Sequence, residues 1–302
     1  MNRQVYLKLK SLLVIIMAVN TMPLMAQQKI VLSTALEVSN VNENVSDRNG
    51  LKDITGQVQP SVEVYLPAAD KANGCAVILC PGGGLRALSW TTDVEQMAEL
   101  LNAQGIAAIG LKYRLNNTRP PQGVQMGPMV DVTAIDHFPK ADANPLHYPE
   151  GDSVLECAAR DAIAAIKLVR QKAEEWNIDT KKVGYMGFSA GGGVALAATM
   201  MAKDEDAKPS FLCTNYGPSL MPVTVPEQAP PLLIMSRAEH PNVAAGVLGL
   251  FLEWKKAGGN AEIHLFGDGR GPYALMPSSG QTTTEQWNTL FMQWLSAKGF
   301  LK

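Results

Sequence analysis

Short apolar runs alternate with amphipathic stretches along most of the chain. Residues 75–80 and 106–111 are continuously apolar, as in strands that are buried on both faces of a sheet. Residues 92–104 and 153–176 carry apolar side chains at helical spacing. Further strands are predicted at 62–66 (as an outer strand), 182–188, 211–215, 232–236 and 261–266, and further helices at 190–202, 243–256 and 284–297. This alternation predicts one α/β domain with a doubly wound, mostly parallel sheet.

Residues 116–152 interrupt this rhythm. The stretch is rich in proline and glycine and shows little periodicity. Loops of this length inside a compact domain are usually functional or disordered. We therefore predict an insert that acts as a lid above the strand that precedes Ser189.

The first 26 residues have the pattern of a secretory signal peptide. Basic residues precede a short apolar core, and the polar pair Gln27-Gln28 follows a candidate cleavage site at Ala26. A buried N-terminal helix is the alternative interpretation. We expect a mature domain of residues 27–302 that is exported to the periplasm or out of the cell.

The composition excludes several classes of protein and of binding partner. The chain has 302 residues, of which 46% are hydrophobic and 18% charged, which excludes a disordered chain and a small disulfide scaffold. Its 26 basic and 28 acidic residues give no electrostatic reason to expect nucleic acid. No run after the signal reaches the roughly 18 apolar residues of a spanning helix. The four cysteines lack metal-site spacing, so we expect buried thiols and neither a metal nor another cofactor.

Residues 187–191 (GFSAG) lie between a predicted strand and a predicted helix. This is the context of a nucleophile elbow, in which small neighbours allow the backbone to turn sharply and present the hydroxyl of Ser189. A chance match is the alternative in a glycine-rich chain. The strand-to-helix junction and the following pair Gly192-Gly193 favour a true elbow.

A second glycine-rich loop, residues 81–84 (PGGG), follows the buried strand 75–80. Such a loop can direct backbone N–H groups at a developing oxyanion, together with the N–H of the residue after the nucleophile. A plain turn is the alternative. Because the loop and the elbow occur in the expected order, Gly83, Gly84 and Ala190 are the predicted oxyanion donors.

Several motifs occur together between residues 60 and 300. They are CPGGG (80–84), KYRL (112–115), DAI (161–163) with Arg170, WNID (176–179) and GFSAGG (187–192). Together they resemble the α/β-hydrolase superfamily, and within it the secreted bacterial carbohydrate-esterase and lipase-like group that includes feruloyl and acetylxylan esterases. The resemblance implies an α/β-hydrolase fold and a serine esterase that acts on small-molecule or glycan esters.

The sequence departs from this group at two catalytic positions. The group carries its acid after a strand that follows the elbow, and its histidine after the next strand. Here residues 236–242 (SRAEHPN) place His240 at the acid position, and residues 267–271 (GDGRG) place Arg270 at the histidine position. A guanidinium stays protonated near neutral pH and cannot act as a general base.

Three interpretations of the site therefore stay open. In the first, His240 is the base and is oriented by Asp268 or Glu239. In the second, the base is His137 or His147 of the insert. In the third, the fold is that of a degenerate hydrolase that binds a glycan or an anion, or performs altered chemistry.

Three residues are candidate substrate contacts. Arg270 can clamp an anionic group, and Trp90, like Tyr113, can line a sugar pocket, although aromatic side chains near strand ends are more often part of the core. A serine peptidase of the same fold is a further class, for which the sequence shows no partner domain. The oligomeric state is not indicated by the sequence.

Overall fold

The computed structural model describes residues 27–116, 153–238, 240, 243–267 and 282–301. The predicted signal peptide (1–26) lies outside the described residues. So does the predicted lid, apart from Asn116 at its start.

The described residues form two sheets. In chain order, the strands are β1 (Gln28–Val31), β2 (Asn44–Arg48), β3 (Leu51–Thr55), β4 (Ser61–Tyr65), β5 (Ala76–Cys80), β6 (Ala87–Ser89), β7 (Ala107–Lys112), β8 (Val183–Phe188), β9 (Leu212–Asn215), β10 (Leu232–Arg237) and β11 (Ala261–Phe266). The large sheet has the order β1-β4-β7-β5-β8-β9-β10-β11, and the small sheet has the order β2-β3-β6. From β7 to β11 the strands of the large sheet are parallel, whereas β1 and β4 are antiparallel to their neighbours.

Helices pack against the large sheet. They are α1 (Gln96–Ala103), α2 (Val154–Gln171), α3 (Ala190–Met201), α4 (Ala244–Lys256) and α5 (Trp287–Ala297). A π-helical turn, Thr91–Glu95, leads into α1. At the start of α2, Ser153 and Glu156 form a capping box, in which each side chain accepts a hydrogen bond from the other residue's backbone N–H. No helix in the part of the chain that the structure describes is long and apolar enough to cross a membrane.

The strands β5, β7 and β8 form the centre of the core. Every residue of these three strands is buried, as expected for parallel strands that are covered on both faces. The predicted apolar strands at 75–80, 106–111 and 182–188 are therefore confirmed. All four cysteines are buried thiols, as predicted.

One sequence prediction about the sheet was wrong. The segment predicted as an outer strand, 62–66, is β4, which pairs with β1 on one side and β7 on the other. The small sheet was not predicted at all. The residues of β2 are mostly exposed, so this strand lacks the apolar run or alternation that identifies a strand in sequence.

The strand order places the two glycine-rich loops side by side. The chain runs from β5 to β7 on one side of the sheet and then returns to β8 on the other side of β5. Ligands of open α/β sheets bind at such a reversal, outside the carboxyl ends of the strands. The loop after β5 and the turn after β8 therefore meet where a binding site is expected.

Candidate active site

Ser189 connects β8 to α3 through a strained backbone. Its φ of 50° and ψ of −123° are rare for a residue with a side chain and cost on the order of 1–3 kcal/mol. Its N–H donates to the Asn215 carbonyl (3.0 Å), and its carbonyl accepts the N–H of Gly192 (2.9 Å). This is the sharp strand-to-helix turn that the elbow prediction requires, and it leaves Ser189 partly exposed.

The glycines around Ser189 are required by close backbone contacts. A Cβ atom placed on Gly191 would lie 2.0 Å from the Cys80 carbonyl oxygen, and one placed on Gly187 would lie 2.5 Å from the Gly191 carbonyl oxygen. Both distances are far below van der Waals contact. The turn can therefore pack against β5 only because these residues lack side chains.

The loop after β5 folds back on itself next to the elbow. The Gly83 carbonyl accepts the N–H groups of Arg86 and Ala87, each at 3.0 Å. Gly83 has φ +130° and Gly84 has φ +63°, which glycine tolerates. Within the described residues, no hydrogen bond engages the N–H groups of Gly83, Gly84 or Ala190. These are the three predicted oxyanion donors, and their role stays a prediction.

Gly82 brings the loop into contact with the elbow. A Cβ atom placed on Gly82 would lie 3.3 Å from the Cβ of Ser189 and 3.0 Å from the Phe188 carbonyl oxygen. The same point lies 3.3 Å from Oδ2 of Asp93. The loop, the serine and a buried carboxylate therefore meet at one place.

Sequence reasoning missed Asp93. It lies in the π-helical turn before α1, and its Oδ2 accepts the Gly82 N–H (2.8 Å) while its Oδ1 accepts the Thr92 hydroxyl (2.9 Å). Burial raises the pKa of Asp93 to about 6, and the two hydrogen bonds oppose that rise. In the sequence, Asp93 is marked only as an acidic residue near the start of the predicted helix 92–104. Acidic residues at that place usually cap the helix.

Tyr113 is also part of this arrangement, and not part of a sugar pocket. Its side chain is fully buried, and its hydroxyl donates to the Pro81 carbonyl (2.5 Å). Burial raises the pKa of the phenol well above its ordinary value. Tyr113 is therefore a neutral hydrogen-bond donor to the loop.

His240 lies at the same edge of the sheet as Ser189, after β10. It is 3% exposed, and its ring stacks on Tyr216, with 5.4 Å between the centroids. Because β10 is two strands away from β8, about 10 Å separate the two strand axes. No described residue, His240 included, hydrogen-bonds to the Ser189 hydroxyl. The exchange of roles between acid and histidine stays a prediction.

The other candidates for the base and its partner lie outside the described residues. These are Glu239, Asp268, Arg270, His137 and His147. The remaining histidine, His264, lies within β11 and pairs with Glu262 (2.8 Å).

Trp90 lines a different cavity. It is buried, and the ammonium group of Lys112 lies 5.1 Å from its ring centroid. The cavity, of about 360 Å³, is lined by Gln27, Gln28, Lys29, Val45, Lys52, Ile54, Glu63, Tyr65, Trp90, Glu95 and Lys112. Neither Ser189 nor the loop after β5 contributes to this lining. A contact between Trp90 and substrate stays a prediction. In the structure, Trp90 lines this cavity.

Comparison with known proteins gives partial matches in sequence. A model of the α/β-hydrolase fold family matches residues 152–246. An acetylxylan esterase of Xylanibacter ruminicola is 30% identical over 152 residues, which is 50% of this chain and 24% of that protein. The chain thus spans about a quarter of the length of the curated relative it matches.

Solved structures match over most of the chain. An acetyl ester-xyloside bifunctional hydrolase from Caldicellulosiruptor lactoaceticus has a TM-score of 0.59 at 22% identity, covering 81% of this chain and 90% of that one. A carboxylesterase from Lactobacillus plantarum has a TM-score of 0.58 at 16% identity, covering 87% of this chain and 99% of that one. The strand order, the elbow and these similarities agree, and the chain has the α/β-hydrolase fold.

Proposed function

We propose that this protein is a serine hydrolase of carboxylic esters, of the carbohydrate-esterase kind, with Ser189 as the nucleophile. The observation that carries the proposal is the strained turn at Ser189, which places this partly exposed residue beside the loop of Gly82–Gly84. Backbone strain of this size persists only where the surrounding structure enforces it, and it is concentrated at functional sites.

The chemistry that fits this arrangement is acyl transfer. The Ser189 oxygen attacks the ester carbonyl while a general base removes its proton, and the N–H groups of Ala190 and of Gly83 or Gly84 stabilise the oxyanion. The tetrahedral intermediate collapses, the alcohol leaves with the proton, and the acyl group stays on Ser189. Water then attacks the acyl-enzyme in the same way and releases the acid.

His240 is the base in this proposal, oriented by Asp268 or Glu239. Its place at the edge that carries Ser189 supports the assignment. A general base must come within hydrogen-bond distance of the proton it removes, and catalytic hydrogen bonds often tighten only when substrate is bound. His240 therefore has to approach Ser189 in the substrate complex.

Short acyl groups on glycans are the proposed substrates. Two similar proteins support this class: one is named an acetylxylan esterase and the other an acetyl ester-xyloside hydrolase.

Export through a signal peptide at residues 1–26 is part of the same proposal. The state of the cysteines is compatible with an oxidising compartment: burial raises the pKa of Cys75 to about 12 and also raises those of Cys80 and Cys213. Such thiols form little thiolate and react slowly.

Labelling with a fluorophosphonate probe and turnover of an activated aryl acetate test the proposal. The purified protein is compared with Ser189→Ala, His240→Gln and, as the matched histidine control, His264→Gln. We expect labelling and turnover to be lost in the first two variants and retained in the third. Loss in Ser189→Ala alone would transfer the role of base to His137 or His147. If the unaltered protein is labelled no more than Ser189→Ala, the esterase proposal is wrong and a ligand-binding degenerate hydrolase takes its place.

A further inference from the structure

We propose that Asp93 and Tyr113 are positioning residues that hold the Pro81–Gly82 peptide group in the orientation that the oxyanion hole needs. The inference rests on the proposed function, and it adds two side chains that act through the backbone of the loop.

One peptide group is held at both of its polar ends. The carbonyl of Pro81 accepts the Tyr113 hydroxyl at 2.5 Å, and the N–H of Gly82, in the same peptide plane, donates to Asp93 Oδ2 at 2.8 Å. The two side chains come from different elements, since Tyr113 follows β7 and Asp93 belongs to the π-helical turn. The two hydrogen bonds together form a clamp on the Pro81–Gly82 peptide, because rotation of this peptide would break both of them at once.

The burial of both partners makes that rotation costly. Tyr113 is 0% exposed and Asp93 is 6% exposed, so water does not readily replace a broken bond. A buried polar group that loses its partner costs about 1–3 kcal/mol, and more if it is charged. The Pro81 carbonyl is confined further, because a Cβ atom on Gly191 would lie 2.5 Å from it.

The next peptides carry the predicted donors. The N–H groups of Gly83 and Gly84 follow directly on the clamped peptide, and three consecutive glycines have the widest choice of backbone angles. An oxyanion hole depends on donors that are already oriented before the reaction. The clamp on Pro81–Gly82 fixes the peptide group that precedes the glycine run. The orientation of the Gly83 and Gly84 N–H groups follows from that fixed peptide.

The surroundings of Asp93 keep its carboxylate in place. The Thr92 hydroxyl holds Oδ1 at 2.9 Å, which leaves Oδ2 for Gly82. In the described ranges, the other titratable groups whose charge acts on Asp93, or is acted on by it, are Asp53 of β3, Tyr113 after β7 and Tyr216 after β9. None of these is a cation, so the N–H and O–H donors are what fix the carboxylate.

Four variants of the purified protein test the clamp. Tyr113→Phe removes only the donor to Pro81, and Asp93→Leu removes the acceptor of Gly82. Asp93→Asn is the conservative variant, since its amide oxygen can still accept the Gly82 N–H. Tyr185→Phe is the matched control, because Tyr185 is also buried and its hydroxyl also donates to a backbone carbonyl, that of Ala162 (2.9 Å).

The expected result separates orientation from folding. Misplacement by about 1 Å costs about 100-fold in rate, so Tyr113→Phe and Asp93→Leu should lower kcat for an aryl acetate roughly 10- to 100-fold. Their KM should stay nearly unchanged, and fluorophosphonate labelling should slow in parallel. Asp93→Asn should keep most of the activity and Tyr185→Phe all of it. Circular dichroism and thermal melting confirm that each variant is folded.

Failure of the clamp and failure of the proposed function give different results. If the unaltered protein is labelled and the folded Tyr113→Phe and Asp93→Leu variants are labelled equally fast, the clamp is wrong and the esterase proposal stands. A rise in KM at constant kcat, or an equal loss in Tyr185→Phe, also overturns the clamp. If the unaltered protein is not labelled, both proposals fall.

Discussion

Two buried carboxylates in this domain have opposite surroundings. Asp161, on α2, is fully buried and faces the guanidinium of Arg114, which binds both of its oxygens at 2.9–3.1 Å, while the Arg114 N–H donates to Oδ2 at 2.8 Å. Among the residues that the structure describes, Asp93 has only the Gly82 N–H and the Thr92 hydroxyl as hydrogen-bond donors. Burial raises the pKa of both carboxyl groups, and only at Asp161 does a cation oppose that rise.

The difference indicates what each carboxylate does. A buried charge with a cation and a complete set of donors fastens two elements together, here the end of β7 and α2. A buried carboxylate without a cation costs stability, and such groups are concentrated at functional sites. Asp161 therefore ties two parts of the fold together, whereas Asp93 supplies a hydrogen-bond acceptor to the loop next to Ser189.

The largest effect on stability is expected at the buried ion pair of Arg114 and Asp161, called the structural pair below. Asp161→Asn leaves the buried Arg114 without its counter-charge, and we expect a loss of about 3–5 kcal/mol in the free energy of unfolding, measured by denaturant titration. The double variant Arg114→Met with Asp161→Leu should recover much of that loss, because no charge stays buried. A loss below about 1 kcal/mol in Asp161→Asn would remove the contrast between the two sites.

Asp93→Asn should behave in the opposite way, with a dependence on pH. The pKa of about 6 in the folded protein exceeds the ordinary value of 3.8, so the folded protein binds the proton more tightly than the unfolded chain. The wild type should therefore lose stability relative to Asp93→Asn as the pH rises from about 4 to about 6, by roughly 3 kcal/mol in all. Unfolding titrations of both proteins at several pH values measure this, and parallel curves would contradict it.

Strain is a further property of the site that the structural pair lacks. Ser189→Gly should raise the free energy of unfolding by about 1–2 kcal/mol, because glycine adopts a φ of 50° without a Cβ clash. The corresponding rise in Tm is about 2–4 °C per kcal/mol for a domain of this size. Ser189→Ala is the control, since it removes the hydroxyl and keeps the Cβ atom. Equal Tm values for the two variants would mean that the turn is not strained.

The smallest effect is expected at Thr92. Thr92→Val keeps the shape of the side chain and removes the hydroxyl that donates to Asp93 Oδ1 at 2.9 Å. We expect a loss of about 0.5–1 kcal/mol at pH 7, the usual net value of one hydrogen bond. The loss should shrink when the variant also carries Asp93→Asn, and an undiminished loss would show that Thr92 does not act through Asp93.

The sequence sufficed for the features that depend on local patterns. The apolar runs of β5 and β8 and the glycines around Ser189 have direct physical signatures, and the structure has the strands and the turn where they were predicted. The contacts that set the site apart are not local. Asp93 meets Gly82 only because the π-helical turn brings it under the loop, and Arg114 meets Asp161 across 47 positions of the chain. The polar strand β2 likewise exists because it pairs with β3, and its own residues carry no apolar pattern that announces it.

The junction of Arg114 with α2 also bears on how such a domain can diversify. The chain leaves β7 after Lys112, and Arg114 then binds Cys157 and Asp161 in the first turns of α2. The chain re-enters the described fold at Ser153, the cap of the same helix. Both ends of the intervening segment are thus anchored on one helix. Arg114 and Ser153, between which the intervening residues run, are therefore held by contacts with α2 that do not depend on the sequence of those residues. The intervening sequence can change without loss of the contacts that hold its two ends.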